Sequence, residues 1–221
     1  MKNRFQVTLV FVLLTMVVQA QKMKNKAEKF SKEEMELITS GEGKLRIIQV
    51  TEPAELEILT HASADVRPGE KLLSVLAKRM LLSMNDPANP GIGIAAPQIG
   101  INRNAIWVTR YDKPDDPAEF YLNPKIIWYS DLLRKGNEGC LSIPDIQDDV
   151  LRSYAIRLSY MLESGEVMEE MVQGFTAVIF QHEVDHLNGI LFTDRLLEQT
   201  RRELIPANDE MELFIDRKIQ N

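Results

Sequence analysis

The chain has 221 residues, 44% of them hydrophobic, with a formal net charge of −7. That is enough apolar material for one domain with a proper core, and the acidic balance excludes nucleic acid or an anionic membrane surface as the main partner, since both reward a basic surface. A single cysteine, Cys140, excludes an internal disulfide.

Residues 1–20 differ from everything that follows. Lys2 and Arg4 form a small basic region, Val7 to Val18 is almost wholly apolar, and Val18-Gln19-Ala20 offers small residues where a signal peptidase reads. This is the pattern of a secretory signal, and the run is short for a transmembrane helix. The expectation is an exported protein, periplasmic or secreted, whose mature start lies near Gln21 and which has no stable membrane insertion after cleavage. The alternative is a cytoplasmic product beginning at Met23.

Residues 21–43 are charged and polar and read as a linker, with a short helix from Ser31, whose Glu34 three residues on makes a capping box. Leu45 to Val50 reads as a first strand. Lys71 to Met84 carries Leu72, Leu73, Val75, Leu76, Met80 and Met84 at helical spacing, its methionines reading as ordinary core filling. Prolines end it by Pro90, and a glycine-rich turn, Gly91 to Gln98, follows. Ala105–Thr109 and Lys125–Tyr129 read as strands separated by an acidic loop with Pro114 and Pro117. Ile156, Leu158 and Tyr160 alternate with Arg157 and Ser159, and Ser164-Gly165 turns that strand back into Val167–Val172. After Arg195 the chain is helical for a turn or two until Pro206, then polar. The expected architecture is α+β, with short mixed or antiparallel strands packed around a central helix. The expected division is a catalytic domain over 44–200 and a polar tail over 201–221.

That central helix carries Gln181-His182-Glu183-Val184-Asp185-His186-Leu187, bracketed by Gly174 and Gly189. Residues four apart share a helix face, so His182 and His186 aim two imidazoles at one metal ion, and Glu183 reaches water at the metal rather than the metal itself. Two of only three histidines fall in this pattern; the third, His61, reads as a surface residue. A catalytic site of this kind takes a third protein ligand. Phe192 stands where a metzincin has its third histidine, which leaves a downstream carboxylate (Glu198, Glu203, Glu210) or something upstream. Cys140, in the turn-forming Glu138-Gly139-Cys140-Leu141-Ser142-Ile143-Pro144, would complete a Cys-His-His set as a thiolate. The Gln98 amide, beside a Gly-x-Gly turn, is a candidate to stabilise an oxyanion.

Taken together, Gly91-Ile92-Gly93-Ile94-Ala95-Ala96-Pro97-Gln98, Glu138-Gly139-Cys140-Leu141-Ser142 and Gln181 to Leu187 resemble the three signature motifs of the peptide deformylases, in family order. The resemblance runs from about Leu45 to Leu196. It implies an enzyme that removes formyl from N-formylmethionyl peptides, releasing formate, with one divalent metal per chain: iron(II), or zinc or nickel. It implies that Cys140, His182 and His186 are the ligands, and that Glu183 moves a proton from water to the leaving amine. Gln98 and the backbone N–H of Leu141 would hold the oxyanion. Ile92, Gly93 and Gly139 would pair with the peptide backbone, while Phe175, Val178 and Ile179 would line a methionine pocket. Glu138 would pair with Arg152 behind the site. The chain departs from many members at Gln147-Asp148-Asp149, and its signal is at odds with cytoplasmic deformylation. Two other readings are a secreted HExxH metallopeptidase and a non-catalytic module that binds formylated peptides.

Overall fold

A computed structural model describes residues 27–207 and 212–216. The expected export signal at 1–20 and the alternative start at Met23 lie outside the described residues. Helix α1 (Lys32–Thr39) opens on a reciprocal cap: the Glu34 N–H donates to Ser31 Oγ at 3.1 Å and the Ser31 N–H to the Glu34 carboxylate at 2.7 Å. Arg103 then grips the same carboxylate through Nε (2.8 Å) and Nη2 (2.7 Å). Phe30 and Ile38 are buried among Leu76, Met80 and Ile99. The segment before residue 44 is therefore not a free linker from Ala27 onward. Two apolar side chains and two buried arginines, Arg103 and Arg79, the latter donating to the Leu37, Ile38 and Gly43 carbonyls, dock it despite its charged composition.

Leu45 to Val50 joins no sheet, contrary to the strand expected there. It is a bridging segment instead: the Ile48 N–H donates to Gln98 O at 2.9 Å and the Val50 N–H to Ser142 O at 3.0 Å, tying two of the three motifs together. Helix α2 (Pro53–Leu59) was not legible in the sequence. Its proline stands at the first turn, where the missing N–H costs nothing. Helix α3 (Leu73–Met84) buries Leu76, Met80 and Met84 in the core.

The strands run in chain order as β1 (Gly93–Ala95), β2 (Ala105–Thr109), β3 (Ala118–Tyr129), β4 (Leu132–Cys140), β5 (Ile143–Ser153), β6 (Ala155–Met161), β7 (Val167–Gln173), β8 (Leu204–Pro206) and β9 (Leu213–Asp216). Two antiparallel sheets result, one in the order β1-β2-β3-β6-β7 and one in the order β5-β4-β9-β8. Residues past 200 are thus not simply a polar tail. Strand β9 pairs Phe214 with Leu133 and buries Leu213, and Pro206 is tolerated because β8 is an edge strand.

Helix α4 (Gly174–Leu187) lays Ala177, Ile179, Phe180, Val184 and Leu187 on the first sheet, against Ile106, Val108, Tyr121, Ile156 and Leu158. Helix α5 (Phe192–Gln199) follows after a tight turn and begins before Arg195, capped by the Asp194 carboxylate on the Leu191 N–H at 2.9 Å. Gly189 in that turn has φ +70°, and a Cβ there would lie 2.3 Å from Thr60 O, so only glycine lets the chain pass so close to the end of α2.

Candidate metal centre

The β4–β5 hairpin and helix α4 are locked to each other at the residue just before His182. Gln181 accepts from the Ser153 N–H at 3.0 Å and donates to Ser153 O at 2.8 Å. That register presents His182 and His186 to the tip of the hairpin, where Cys140 ends β4. One ligand atom from each of Cys140, His182 and His186 lies within 4.8 Å of the others, and Cys140 Sγ is 3.3 Å from His186 Nε2. The carboxylates left open by the sequence are not part of this group. Glu198 pairs with Arg195, Glu203 does not join it, and Glu210 lies outside the described residues. His61 is exposed, as expected.

His182 Nδ1 is 2.9 Å from Glu138 Oε2, which fixes the ring and leaves Nε2 for a metal. Burial raises the Cys140 thiol, but the neighbouring His186 and His182 outweigh it and hold it well below the usual thiol range. A thiolate and two imidazoles, with one carboxylate orienting a ring, are a donor set suited to a divalent ion that keeps an open position. Glu183 is also fully enclosed, and its Oε2 has no hydrogen-bond partner among the described residues. Burial pushes its carboxyl up to about 7 against the opposing pull of His182 and His186, so it can take up and release a proton near neutrality.

Glu138 is shared. Arg152 meets it in a two-pronged pair, Nε to Oε1 at 2.8 Å and Nη2 to Oε2 at 2.9 Å. Burial alone would raise this carboxyl; the hydrogen bonds from His182 and Arg152 prevail and lower it to about 2. Replacing Arg152 by Met leaves a buried carboxylate unpaired, which typically costs about 3–5 kcal/mol. The expected result is a clear fall in melting temperature with reduced activity. A variant that melts with the wild type and keeps full activity would show that the pair is dispensable.

A cavity of about 360 Å³ opens in front of these groups. Its lining includes Ile92, Gly93, Gln98, Glu138, Gly139, Cys140, Leu141, Phe175, Val178, Ile179, His182 and Glu183, so the three motifs converge on one cleft; His186 and Arg152 stand behind it. Gln98 is held by the Ala95 N–H on its Oε1 (2.9 Å), which turns its amide nitrogen towards Cys140 Sγ at 3.5 Å and Ser142 Oγ at 3.4 Å. A Cβ on Gly93 would lie 2.4 Å from Glu183 Oε1 and 2.9 Å from Ile179 Cγ2. Glycine is thus required for strand β1 to pass over the carboxylate. Phe175 is half-exposed at the rim, with the Arg134 guanidinium 5.6 Å above its ring and the Tyr111 ring 5.5 Å away.

Residues 44–202 match the family model described as polypeptide deformylase. The chain belongs to the polypeptide deformylase family. As a deformylase it hydrolyses the N-formyl group of peptides in a metal-dependent reaction. A peptide deformylase of Caulobacter sp. (strain K31) is 41% identical over 152 residues, covering 68% of this chain and 87% of the relative. The Met-Ala-Ser-bound crystal structure of a class I type b peptide deformylase from Acinetobacter baumannii superposes with a TM-score of 0.62 at 37% identity, covering 70% of this chain and 99% of that one. The Thermotoga maritima peptide deformylase structure gives 0.61 at 32% identity, with 69% and 97% covered.

Several groups of this deformylase site escaped the sequence reading. Asn137 lines the cleft; Gln147, named in the sequence only as a departure from the family, lines it too, and Gly91, named only as part of its motif, admits Leu141, whose Cδ1 would lie 2.9 Å from a Cβ there. Asp185 joins Arg152 from behind. Its position inside the histidine motif, on a helix otherwise buried, was the one available signal.

Proposed function

We propose that Cys140, His182 and His186 hold one divalent metal ion per chain and that Glu183 is the acid–base group for removal of formyl from N-formylmethionyl peptides. The observation that carries this reading is geometric: the buried Glu183 carboxylate lies in the lining of the cleft beside the three-ligand group of Cys140, His182 and His186. The bound ion supplies Lewis acidity, polarising the formyl carbonyl and acidifying water. Glu183 takes one proton of the attacking water and hands it to the leaving amine nitrogen as the C–N bond breaks, so the amine departs neutral and the other product is formic acid, which gives its remaining acidic proton to solvent to become formate. The Gln98 amide nitrogen and the Leu141 N–H donate to the oxygen on which charge develops. Ile92, Gly93 and Gly139 hold the peptide backbone in extended form, and Phe175, Val178 and Ile179 receive the methionine side chain. The Acinetobacter relative holds Met-Ala-Ser, a methionine-headed tripeptide, which supports a formylmethionyl substrate here.

The metal we favour is iron(II), with zinc or nickel as substitutes. The deciding experiment is formate release from formyl-Met-Ala-Ser by chains loaded separately with iron(II), nickel and zinc. Turnover is expected with each, decaying in air with iron because ferrous iron and its thiolate ligand are oxidised, and lasting with the other two. No formate from any loaded form would end the proposal.

The catalytic unit proposed over 44–200 is extended by Phe30, Ile38 and strand β9, which pack on it. Export rests on residues 1–20 alone. No helix among the described residues is long and apolar enough to cross a membrane. If the signal acts, fractionation and N-terminal sequencing of the native protein give an exported chain starting near Gln21; a cytoplasmic chain starting at Met23 would overturn it.

A further inference from the structure

Behind the metal centre, on the face away from the cleft, the ion pair of Glu138 and Arg152 does not end. Arg152 Nη1 also bonds Asp185 Oδ2. Asp185 in turn is clasped by Arg195 from helix α5, Nε to Oδ2 at 2.9 Å and Nη2 to Oδ1 at 2.6 Å. The result is an alternating line: Arg195, Asp185, Arg152, Glu138, then the His182 ring. Asp185, Arg152 and Glu138 are all buried, whereas Arg195 is 30% exposed and sends its remaining Nη1 to Glu198 at 2.8 Å. Arg195 is the most exposed member of the line, at the end opposite the His182 ring, which faces the cleft.

We infer that Arg195 is a positioning residue for the metal ligand His182, acting through Asp185, Arg152 and Glu138. The geometry gives the reason. Asp185 lies between two guanidinium groups. Because Arg195 occupies both of its oxygens, Arg152 need give it only one nitrogen and keeps Nε and Nη2 for Glu138. Remove Arg195, and Arg152 is left as the one guanidinium bonded to two buried carboxylates, Asp185 and Glu138, with lone pairs opened on Asp185. Arg152 is drawn from Glu138 towards Asp185, and Glu138 loses the two-pronged hold that aims it at His182 Nδ1. A metal-ligating imidazole depends on such a partner for its orientation, and loss of an outer partner commonly weakens metal binding by about 10–100-fold.

This inference rests on the metal site proposed above, so its test carries a separate control for that site. Cobalt(II) is the probe: its binding to metal-free wild type, Arg195→Gln, Arg195→Lys and Glu138→Gln is followed by the thiolate-to-cobalt absorption band, with melting temperatures recorded alongside. Arg195→Gln is expected to bind cobalt about tenfold more weakly with an altered band, and Arg195→Lys, which keeps one charge on Asp185, to recover part of the loss. Glu138→Gln, in direct contact with His182, is expected to weaken binding at least as much. If Arg195→Gln only lowers the melting temperature while its cobalt affinity and band match the wild type, Arg195 merely docks α5 and the inference fails. If Glu138→Gln also leaves cobalt binding untouched, the orienting line through Glu138 fails, whereas the ligand assignment itself fails only if the Cys140→Ala, His186→Ala double variant still binds cobalt like the wild type.

Discussion

Replacing Glu183 by glutamine is expected to lower turnover by about 10²–10⁴-fold or more while leaving the metal bound. The two side chains have the same shape, so the close passage of Gly93 over the carboxylate is preserved. The amide cannot accept a proton from water or return one to the amine, and both transfers fall to Glu183 in the proposed mechanism. Its environment suits that double duty, since burial lifts the carboxyl to about 7. Metal content by elemental analysis separates the possible roles. A variant that is inactive and metal-free would make Glu183 a ligand, and one that is fully active would remove it from the chemistry.

The second large effect is expected from the ligands. A Cys140→Ala, His186→Ala double variant loses two of the three atoms that lie within 4.8 Å of one another, and a lone imidazole does not retain a catalytic ion. Metal and formate release should be lost together. The single Cys140→Ala variant separates two chemistries, because a HExxH peptidase has no use for that cysteine and would keep its activity. Full metal occupancy in the double variant, measured after extensive dialysis, would refute the ligand assignment.

Much of this site is legible one-dimensionally because helical and turn chemistry are local. The four-residue step from His182 to His186 follows from the helix repeat, and the Ser31–Glu34 cap and strands Ala105–Thr109 and Val167–Gln173 rest on neighbours in sequence. Cys140 was recognisable as a candidate from its turn, yet residue types and spacing left carboxylates such as Glu198 in competition, since nothing local measures the distance from a hairpin tip to a histidine far along the chain. Tertiary packing decided that: Gln181 on Ser153 sets the register of α4 against β5 and brings the sulfur to the imidazoles. The same holds for what sequence misread. Leu45–Val50 has the apolar, β-branched content of a strand, but its N–H groups bond isolated acceptors, the Gln98 and Ser142 carbonyls and the Ser83 and Glu55 side chains, rather than a ladder. The segments before residue 44 and after residue 200 looked polar, because their few buried residues, Phe30, Ile38 and Leu213, gain meaning only where other elements cover them. The line from Arg195 to His182 is the extreme case. Its charges come from α5, α4, β5 and β4, and only the folded chain, by burying Asp185, Arg152 and Glu138 together, makes each one's neighbour decisive.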